Sequence, residues 1–578
     1  MKCDICEIGC SIQDKGFGHC RMYMNNNGKI EERFANNYST LFPISIETMP
    51  TLHFYPNHKF LQVSSIGCNF SCNGCISEIL ATGTETISAT LKNMPPEKVI
   101  KKAIKENCKG IVFCINDPSV SFFSFLTLAK LAKKNDLLIG FSTNGYFTLK
   151  ALEQLISYTD FVNIGIKGFS DEPYKACGVP SSKPVFRNLE KLFKSGVHVE
   201  VAAIHMKGFE HEIYQVADFV AQLSKDIPFQ VMRFVPFGEA DIKHEPTIKE
   251  SEALCVELKQ KLTYVYLFNS PGTDLLNTFC PDCGEVVIYR EFFGPMGSRN
   301  IKALPYAVCK CGRQPHIVGV YAEDRYDEHG FFGGYRTTRA FEMLHSIMVC
   351  IGANDPVKVS ELWFDLIETN YLKEFHDVVQ LPEKYGDIID RLASKTGQVD
   401  KGNILKNYIN EKFNSIKSKT ENIERPSVYY AMGYPLFALN AERFETNLVE
   451  AAGGTCLNKK LIRKGKPGIT ISKQELMDLN PDIIFISGFL SCPASDFYDY
   501  CIKHDLMVNA VKNNKIYDHF PLWDFGSPRW ILGLMHIANT LHPELFNFGM
   551  EKEANLFYNQ FFNKPFDTNK ANRSFYRV

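Results

Sequence analysis

Between residues 59 and 270, short runs of β-branched and aromatic residues alternate with longer stretches whose apolar positions recur every three or four residues. This switching between two periods is the pattern of successive βα units around a parallel sheet. Residues 60–63, 110–114, 138–141, 161–164, 199–203 and 229–232 read as six strands, and 122–131 as the helix after the second. Chemistry in a β/α barrel sits at the C-terminal ends of its strands, and the motifs of this region all fall there. From about Gly319 a second α/β series begins. Residues 336–352 predict an amphipathic helix. Residues 403–423 predict a long one, with Ile404, Leu405, Tyr408, Phe413 and Ile416 on or near one stripe and Pro426 ending it. A strand follows at 427–431, and the segments 446–454, 471–476, 480–486 and 510–517 continue the alternation.

A chain of 578 residues predicts two to four domains. Its formal net charge of −1 argues against a nucleic-acid or polyanion binder. No run approaches the 18 or so apolar residues of a membrane span. The N-terminus enters a cysteine motif without an apolar signal segment, so the expected location is the cytoplasm. The 19 cysteines fall into three short-spaced clusters plus singles such as Cys108, Cys177, Cys350 and Cys501. That is metal-ligand spacing in a reducing compartment, and the singles read as small buried hydrophobes.

Cys68, Cys72 and Cys75 stand in Cys-x3-Cys-x2-Cys spacing on a strand-to-helix loop. Three thiolates so placed can hold three corners of a [4Fe–4S] cluster and leave the fourth iron open to the amino and carboxylate groups of S-adenosylmethionine (SAM). A structural zinc knot or an ordinary ferredoxin loop is the alternative. Cys3, Cys6, Cys10 and Cys20 make a closed four-thiolate set, suited to either an auxiliary [4Fe–4S] cluster or structural zinc. Cys280-x2-Cys283 and Cys309-x-Cys311 look like two knuckles of a zinc ribbon; the shorter second knuckle leaves zinc and an Fe–S cluster both open.

Taken in order, these motifs resemble the radical SAM enzymes of the AmmeMemoRadiSam group, relatives of pyruvate formate-lyase activating enzyme. The supporting strings are the N-terminal cysteine set, His53-Phe54-Tyr55-Pro56, the Cys68–Cys75 loop, Asn116-Asp117-Pro118, Ser142-Thr143-Asn144-Gly145-Tyr146, the run 162–169, Arg233-Phe234-Val235-Pro236 and Cys280-Pro281-Asp282-Cys283-Gly284. The resemblance covers about residues 1–312 and implies a partial (β/α)6 barrel, a [4Fe–4S] cluster, SAM and a low-potential electron donor of the flavodoxin or ferredoxin type. It also implies that Asn116-Asp117 takes the place of a segment whose carboxylate accepts the SAM ammonium. Thr143 and Asn144 would touch the ribose or methionine portion, or simply form an Asn-Gly turn. Lys167 or Arg233 would pair with the SAM carboxylate, or serve in a salt bridge. Gly74 departs from the aromatic residue common before the third cysteine, and Gly165 from the Asp of the Asp-x-Lys motif.

Residues of about 315–560 resemble the periplasmic binding proteins for iron chelates and vitamin B12, which implies two α/β lobes joined by the long 403–423 helix. Tyr335, Arg336, Trp523 and Arg529 are the candidate contacts for a metal chelate, tetrapyrrole or corrinoid-like ligand. His376 reads as structural. The expected division is 1–58 as a cysteine-rich segment, 59–272 as the barrel, 273–315 as the ribbon, 316–565 as the receptor-like domain and 566–578 as a tail. The implied function is an enzyme that cleaves SAM reductively to a 5′-deoxyadenosyl radical acting on a bound substrate. The alternatives are an activating enzyme that installs a radical on a partner protein, and a non-enzymatic metallocofactor carrier or sensor. No nucleic-acid or membrane partner is expected.

Overall fold

The computed structural model describes residues 1–82, 87–88, 91–236, 240–293, 296–324, 326, 335–368, 381–461, 468–488, 492–519, 523 and 526–567. It divides into two compact units, Met1–Gly334 and Tyr335–Val578. The first is built on a sheet of eight strands: β1 (Thr40–Ser45), β2 (Lys59–Ser64), β3 (Gly110–Phe113), β4 (Leu138–Thr143), β5 (Phe161–Ile166), β6 (His198–His205), β7 (Phe229–Arg233) and β8 (Val265–Phe268). They lie side by side in chain order, and β2 to β8 run parallel. β1 pairs antiparallel with β2 at one edge. Each parallel step needs a crossover; helices Pro96–Lys105, Phe122–Lys133, Leu149–Ile156, Lys183–Lys194, Glu210–Leu223 and Ile248–Leu258 lie between successive strands.

All six expected strands are present, and the sheet has seven parallel strands rather than six. The extra one, Val265-Tyr266-Leu267-Phe268, is fully buried. A four-residue apolar run has no periodicity of its own; its register against β7, Phe229 opposite Val265, makes it a strand. A belt of buried polar groups ties residues 47–53 to the sheet. Glu200 accepts the N–H groups of Leu52 and His53 at 2.9 and 2.7 Å and the Gln230 amide at 2.7 Å. The fully buried Arg290 donates to Glu47 at 3.1 Å.

Arg290 belongs to a three-stranded antiparallel sheet: β9 (Thr278–Phe279), β10 (Val286–Phe292) and β11 (Ser298–Ala303). The unit continues past the expected boundary at 315, because the N–H groups of Tyr55 and Ala322 donate to Val318 O and Pro56 O at 2.8 and 3.1 Å.

The second unit opens with helices Tyr335–Cys350, Pro356–Glu368, Tyr385–Thr396 and Val399–Lys419. One six-stranded sheet follows, with Ser427–Met432 between Tyr434–Leu439 and Ile483–Ile486. Trp530, wholly buried, packs edge-on against Tyr385, Phe413 and Phe444 and so joins the helices to the sheet layer. The expectation of two α/β lobes is corrected: among the described residues this unit has one sheet, and the long helix is preceded by helices. Phe341, Leu344, Ile347, Met348 and Ile351 are buried at helical spacing, which leaves no strand-forming run there. Among the described residues no helix is long and apolar enough to cross a membrane.

Candidate active site and metal centres

Strands β2, β3, β4 and β5 end on the same side of the sheet and deliver the Cys68 loop, Asn116–Asp117, Asn144 and Lys167 to one place. Within the loop the Phe70 N–H donates to Cys68 Sγ at 3.4 Å, and the Ser77 N–H is directed at the Cys75 thiol. Gly74 has φ +73°, and a Cβ there would lie 2.6 Å from the Ala240 Cβ and 3.4 Å from the Phe234 ring. Only glycine fits this turn without displacing a neighbour.

Asp117 is buried and triply bonded. One oxygen accepts the Thr143 hydroxyl at 2.8 Å and the Asn144 N–H at 2.7 Å; the other accepts the Ser119 N–H at 2.9 Å and caps the turn Pro118–Ser121. Asn144 in turn donates to Asn69 Oδ1 at 2.7 Å and lies 3.7 Å from Cys68 Sγ. Thr143 and Asn144 therefore lock the β3 and β4 ends to the cysteine loop. Two residues expected near SAM have protein partners in this structure. Asn116 has both ends of its amide on the backbone of the β2 end, at 2.9 Å from Ser65 N and 3.0 Å from Ile66 O. Arg233 is fully buried and bonded to Glu245 at 2.7 Å and to Asn269 O at 2.9 Å, because a guanidinium out of water requires a countercharge.

Lys167 is the cation of the cradle and has no carboxylate partner among the described residues. Burial pulls its pKa down, but the Cys72, Cys177, Cys75 and Cys68 sulfurs outweigh this and the net shift is upward. Burial, then the Asp117 charge, pushes the Cys68 thiol well up. Cys72 behaves oppositely: a hydrogen bond from Cys177, aided by Lys167, brings it to about 7 despite burial. Cys177 is buried, as expected of the single cysteines, and it also reaches Cys72, because Cys177 O accepts the Ser71 N–H at 2.9 Å. No spacing rule connects the two in sequence.

Among the described residues, Cys280, Cys283, Cys309 and Cys311 are the one set of metal-capable side chains whose ligand atoms all lie within 4.8 Å. Their sulfurs approach to 3.6 Å (Cys280–Cys311) and 3.4 Å (Cys283–Cys309). A tetrahedron with metal–sulfur bonds of about 2.3 Å has edges of about 3.8 Å, so the set fits a single metal ion. The one-residue shorter second knuckle is accommodated by a tight turn, in which the Gly312 N–H donates to Cys309 O at 2.8 Å with Gly312 at φ +90°. The sulfurs of Cys3, Cys6, Cys10 and Cys20 do not all lie within that limit of one another. Burial pushes the Cys6 thiol up to about 12 and Cys20 up to about 11.

Residues 63–220 match the family model described as the Radical SAM superfamily. They form a radical SAM domain. The uncharacterized protein MJ0808 of Methanocaldococcus jannaschii is 29% identical over 331 residues, which is 55% of this chain and 96% of that protein. Solved structures similar in part include a periplasmic solute binding protein from Veillonella parvula (21% identity, 33% of this chain and 60% of that one, TM-score 0.30). Another is an ABC transporter solute binding protein from Sulfurospirillum deleyianum (22% identity, 34% and 62%, TM-score 0.30). The chain spans about 60% of the length of these solved proteins.

The radical SAM domain thus contains Cys68, Cys72, Cys75, Asp117, Thr143, Asn144 and Lys167, whereas both accessory cysteine sets lie outside residues 63–220. At Gly165 a Cβ would meet Thr143 O at 3.7 Å and Lys167 Nζ at 3.8 Å, ordinary contacts that leave room for a Cβ. In the second unit, the side chains of Tyr335 and Arg336 lie outside the described residues, as does His376. Trp523 is fully buried against Phe566, with ring centroids 5.6 Å apart. Arg529 donates to Ser346 at 3.2 Å and covers the Phe562 ring at 4.1 Å. Both take part in the packing of the second unit.

Proposed function

We propose that the chain is an enzyme that reductively cleaves SAM at a [4Fe–4S] cluster held by Cys68, Cys72 and Cys75. The observation that carries this reading is the convergence of three thiols on one loop around Lys167, an ammonium with no carboxylate partner among the described residues. The donor set fits: the thiols share one cradle, and Lys167 offsets the charge that they acquire as ligands. The cluster, once bound, supplies the electron that divides SAM into methionine and a 5′-deoxyadenosyl radical. Asp117 has three bonds on a carboxylate with about four acceptor positions, which leaves one for the SAM ammonium. Lys167 would bind the SAM carboxylate, and Phe234, beside Gly74, would offer the aromatic face that the cysteine loop itself lacks.

One observation favours the non-enzymatic carrier reading: Cys177 is a fourth thiol at the cradle and could close the cluster against SAM. Its hydrogen bond to Cys72, however, puts it beside an occupied corner rather than at the open one. We read Cys280, Cys283, Cys309 and Cys311 as a structural zinc site on the strength of their spacing. A metal-chelate or corrinoid-like substrate for the second unit rests on sequence resemblance alone. Anaerobic reconstitution followed by reduction tests the reading. 5′-Deoxyadenosine should form with wild-type protein and with Cys177→Ala, and disappear with Cys72→Ala. Full cleavage by Cys72→Ala would sink the proposal, and SAM binding gained only on loss of Cys177 would establish the closed cluster instead.

A further inference from the structure

Two cysteine sets meet at Asn69. The N-terminal segment is seated on the strand ends that carry the Cys68 loop. The Glu7 N–H donates to Tyr146 O at 3.1 Å, and the Thr148 N–H to Ile5 O at 3.0 Å. The Tyr23 hydroxyl donates to Ser119 O at 2.6 Å and accepts the Phe122 N–H at 2.9 Å. The approach is close: a Cβ on Gly67 would lie 2.6 Å from Met22 Cγ and 3.7 Å from Cys20 O.

Within this segment backbone dipoles are aimed at sulfur. Cys3, Cys6 and Cys20 each receive the N–H of the residue two places on, Ile5, Ile8 and Met22, and Cys10 Sγ accepts the His19 N–H at 3.3 Å. Such turns favour anionic sulfur and set the potential of an iron–sulfur centre. The same chain builds a compact thiolate tetrahedron at Cys280, Cys283, Cys309 and Cys311, whereas the N-terminal sulfurs do not all lie within 4.8 Å of one another. A cubane requires wider spacing, since each thiolate holds a different iron; one zinc ion would draw the four together.

Asn69 lies between the sets and is 1% exposed. Its Oδ1 accepts from Asn144 at 2.7 Å and is 3.8 Å from Cys68 Sγ. Its Nδ2 is buried and faces the Cys6 thiol, a weak acceptor too distant for a well-formed hydrogen bond. A buried amide donor so poorly satisfied is costly, and a stronger acceptor on Cys6 would relieve that cost when the site is filled. Cluster-bound sulfur is such an acceptor.

We infer that Cys3, Cys6, Cys10 and Cys20 hold a second [4Fe–4S] cluster, which passes single electrons to the Cys68–Cys72–Cys75 site through Asn69. A ferredoxin- or flavodoxin-type donor gives up one electron, the N-terminal cluster takes it and returns to its oxidised state on passing it on, and no proton moves. The inference rests on the proposed function only for the electron's destination.

The test uses the full chain, reconstituted anaerobically, with iron, sulfide and zinc counted and the reduced state examined by electron paramagnetic resonance. Wild type should hold two clusters' worth of iron. The Cys68→Ala/Cys72→Ala/Cys75→Ala variant should keep one reducible cluster whose signal ignores SAM, and Cys3→Ala/Cys6→Ala should keep one that responds to it. Asn69→Leu, or Asn69→Ser where the former does not fold, should retain both clusters and lower the potential of the SAM-insensitive one. It should also slow reduction of the SAM-responsive cluster by a ferredoxin at least tenfold. Zinc instead of iron in the triple variant overturns the inference, as does an Asn69 variant with unchanged potential and transfer rate. Two clusters of which neither responds to SAM would remove the proposed function and leave the second cluster standing.

Discussion

Replacing Asp117 by Asn separates the two roles of that carboxylate. If the amide oxygen keeps its bonds to Thr143 and Asn144, the amide nitrogen faces the Ser119 N–H and the cap of the Pro118–Ser121 turn is lost. Loss of the cap costs about 1 kcal/mol. The two remaining bonds become neutral ones about half as strong, which adds about 1 kcal/mol. A total of about 2 kcal/mol should lower the melting temperature of the first unit, Met1–Gly334, by about 3 °C. Removal of an ammonium–carboxylate bond of about 1.5–3 kcal/mol should also raise the Kd for SAM about ten- to hundredfold. Thermal melting gives the first quantity, and titration of the reduced, reconstituted protein with SAM gives the second. A lower melting temperature with unchanged Kd would show that Asp117 only straps the loops together. If neither changes, the hydrogen-bond reasoning itself fails.

Gly74→Ala forces a side chain into a left-handed turn against Ala240; the strain of about 1–2 kcal/mol plus overpacking of about 1–3 kcal/mol should empty the Cys68 loop of iron, measurable as iron per chain. Cys283→Ser should release one metal ion per chain in a zinc assay and destabilise the β9–β11 sheet, while the iron content stays the same. Burial lowers His53 to about 4 and His519 and His536 to about 3, against 6.5 when exposed. The unfolded chain therefore binds the extra protons, and stability falls as pH drops below 6.5, by about 2 kcal/mol at pH 5 for His53 alone. Urea midpoints at pH 7 and pH 5 check this, since His53→Gln should lose less stability over that interval than wild type.

Local patterning was enough to read six of the seven parallel strands of the first unit, because those six are runs of β-branched and aromatic residues set between helical stretches. The cysteine spacings point to candidate ligand sets for a related reason, since ligands within one loop must be close in sequence to wrap one centre; the structure brings the sulfurs of Cys280, Cys283, Cys309 and Cys311 together. What spacing cannot convey is the partner of a residue across the fold. Arg233 and Asn116 look like free polar groups at strand ends, yet one is neutralised by Glu245 and the other bonded to the β2 end. Trp523 and Arg529 look like ligand contacts because aromatic and cationic residues also suit a packed interior.

The sequence by itself therefore determined the Cys-x3-Cys-x2-Cys loop, the parallel order of the strands and the existence of three cysteine sets, since each depends on neighbours in the chain. Tertiary structure alone decided which sulfurs come within 3.4–3.6 Å of one another, that Cys177 stands against Cys72, and that Asn69 lies between two thiol sets. The sulfur distances are set where the Cys280–Cys283 and Cys309–Cys311 turns pack together on β10, and the other two relations where strands β2 to β5 bring their ends together.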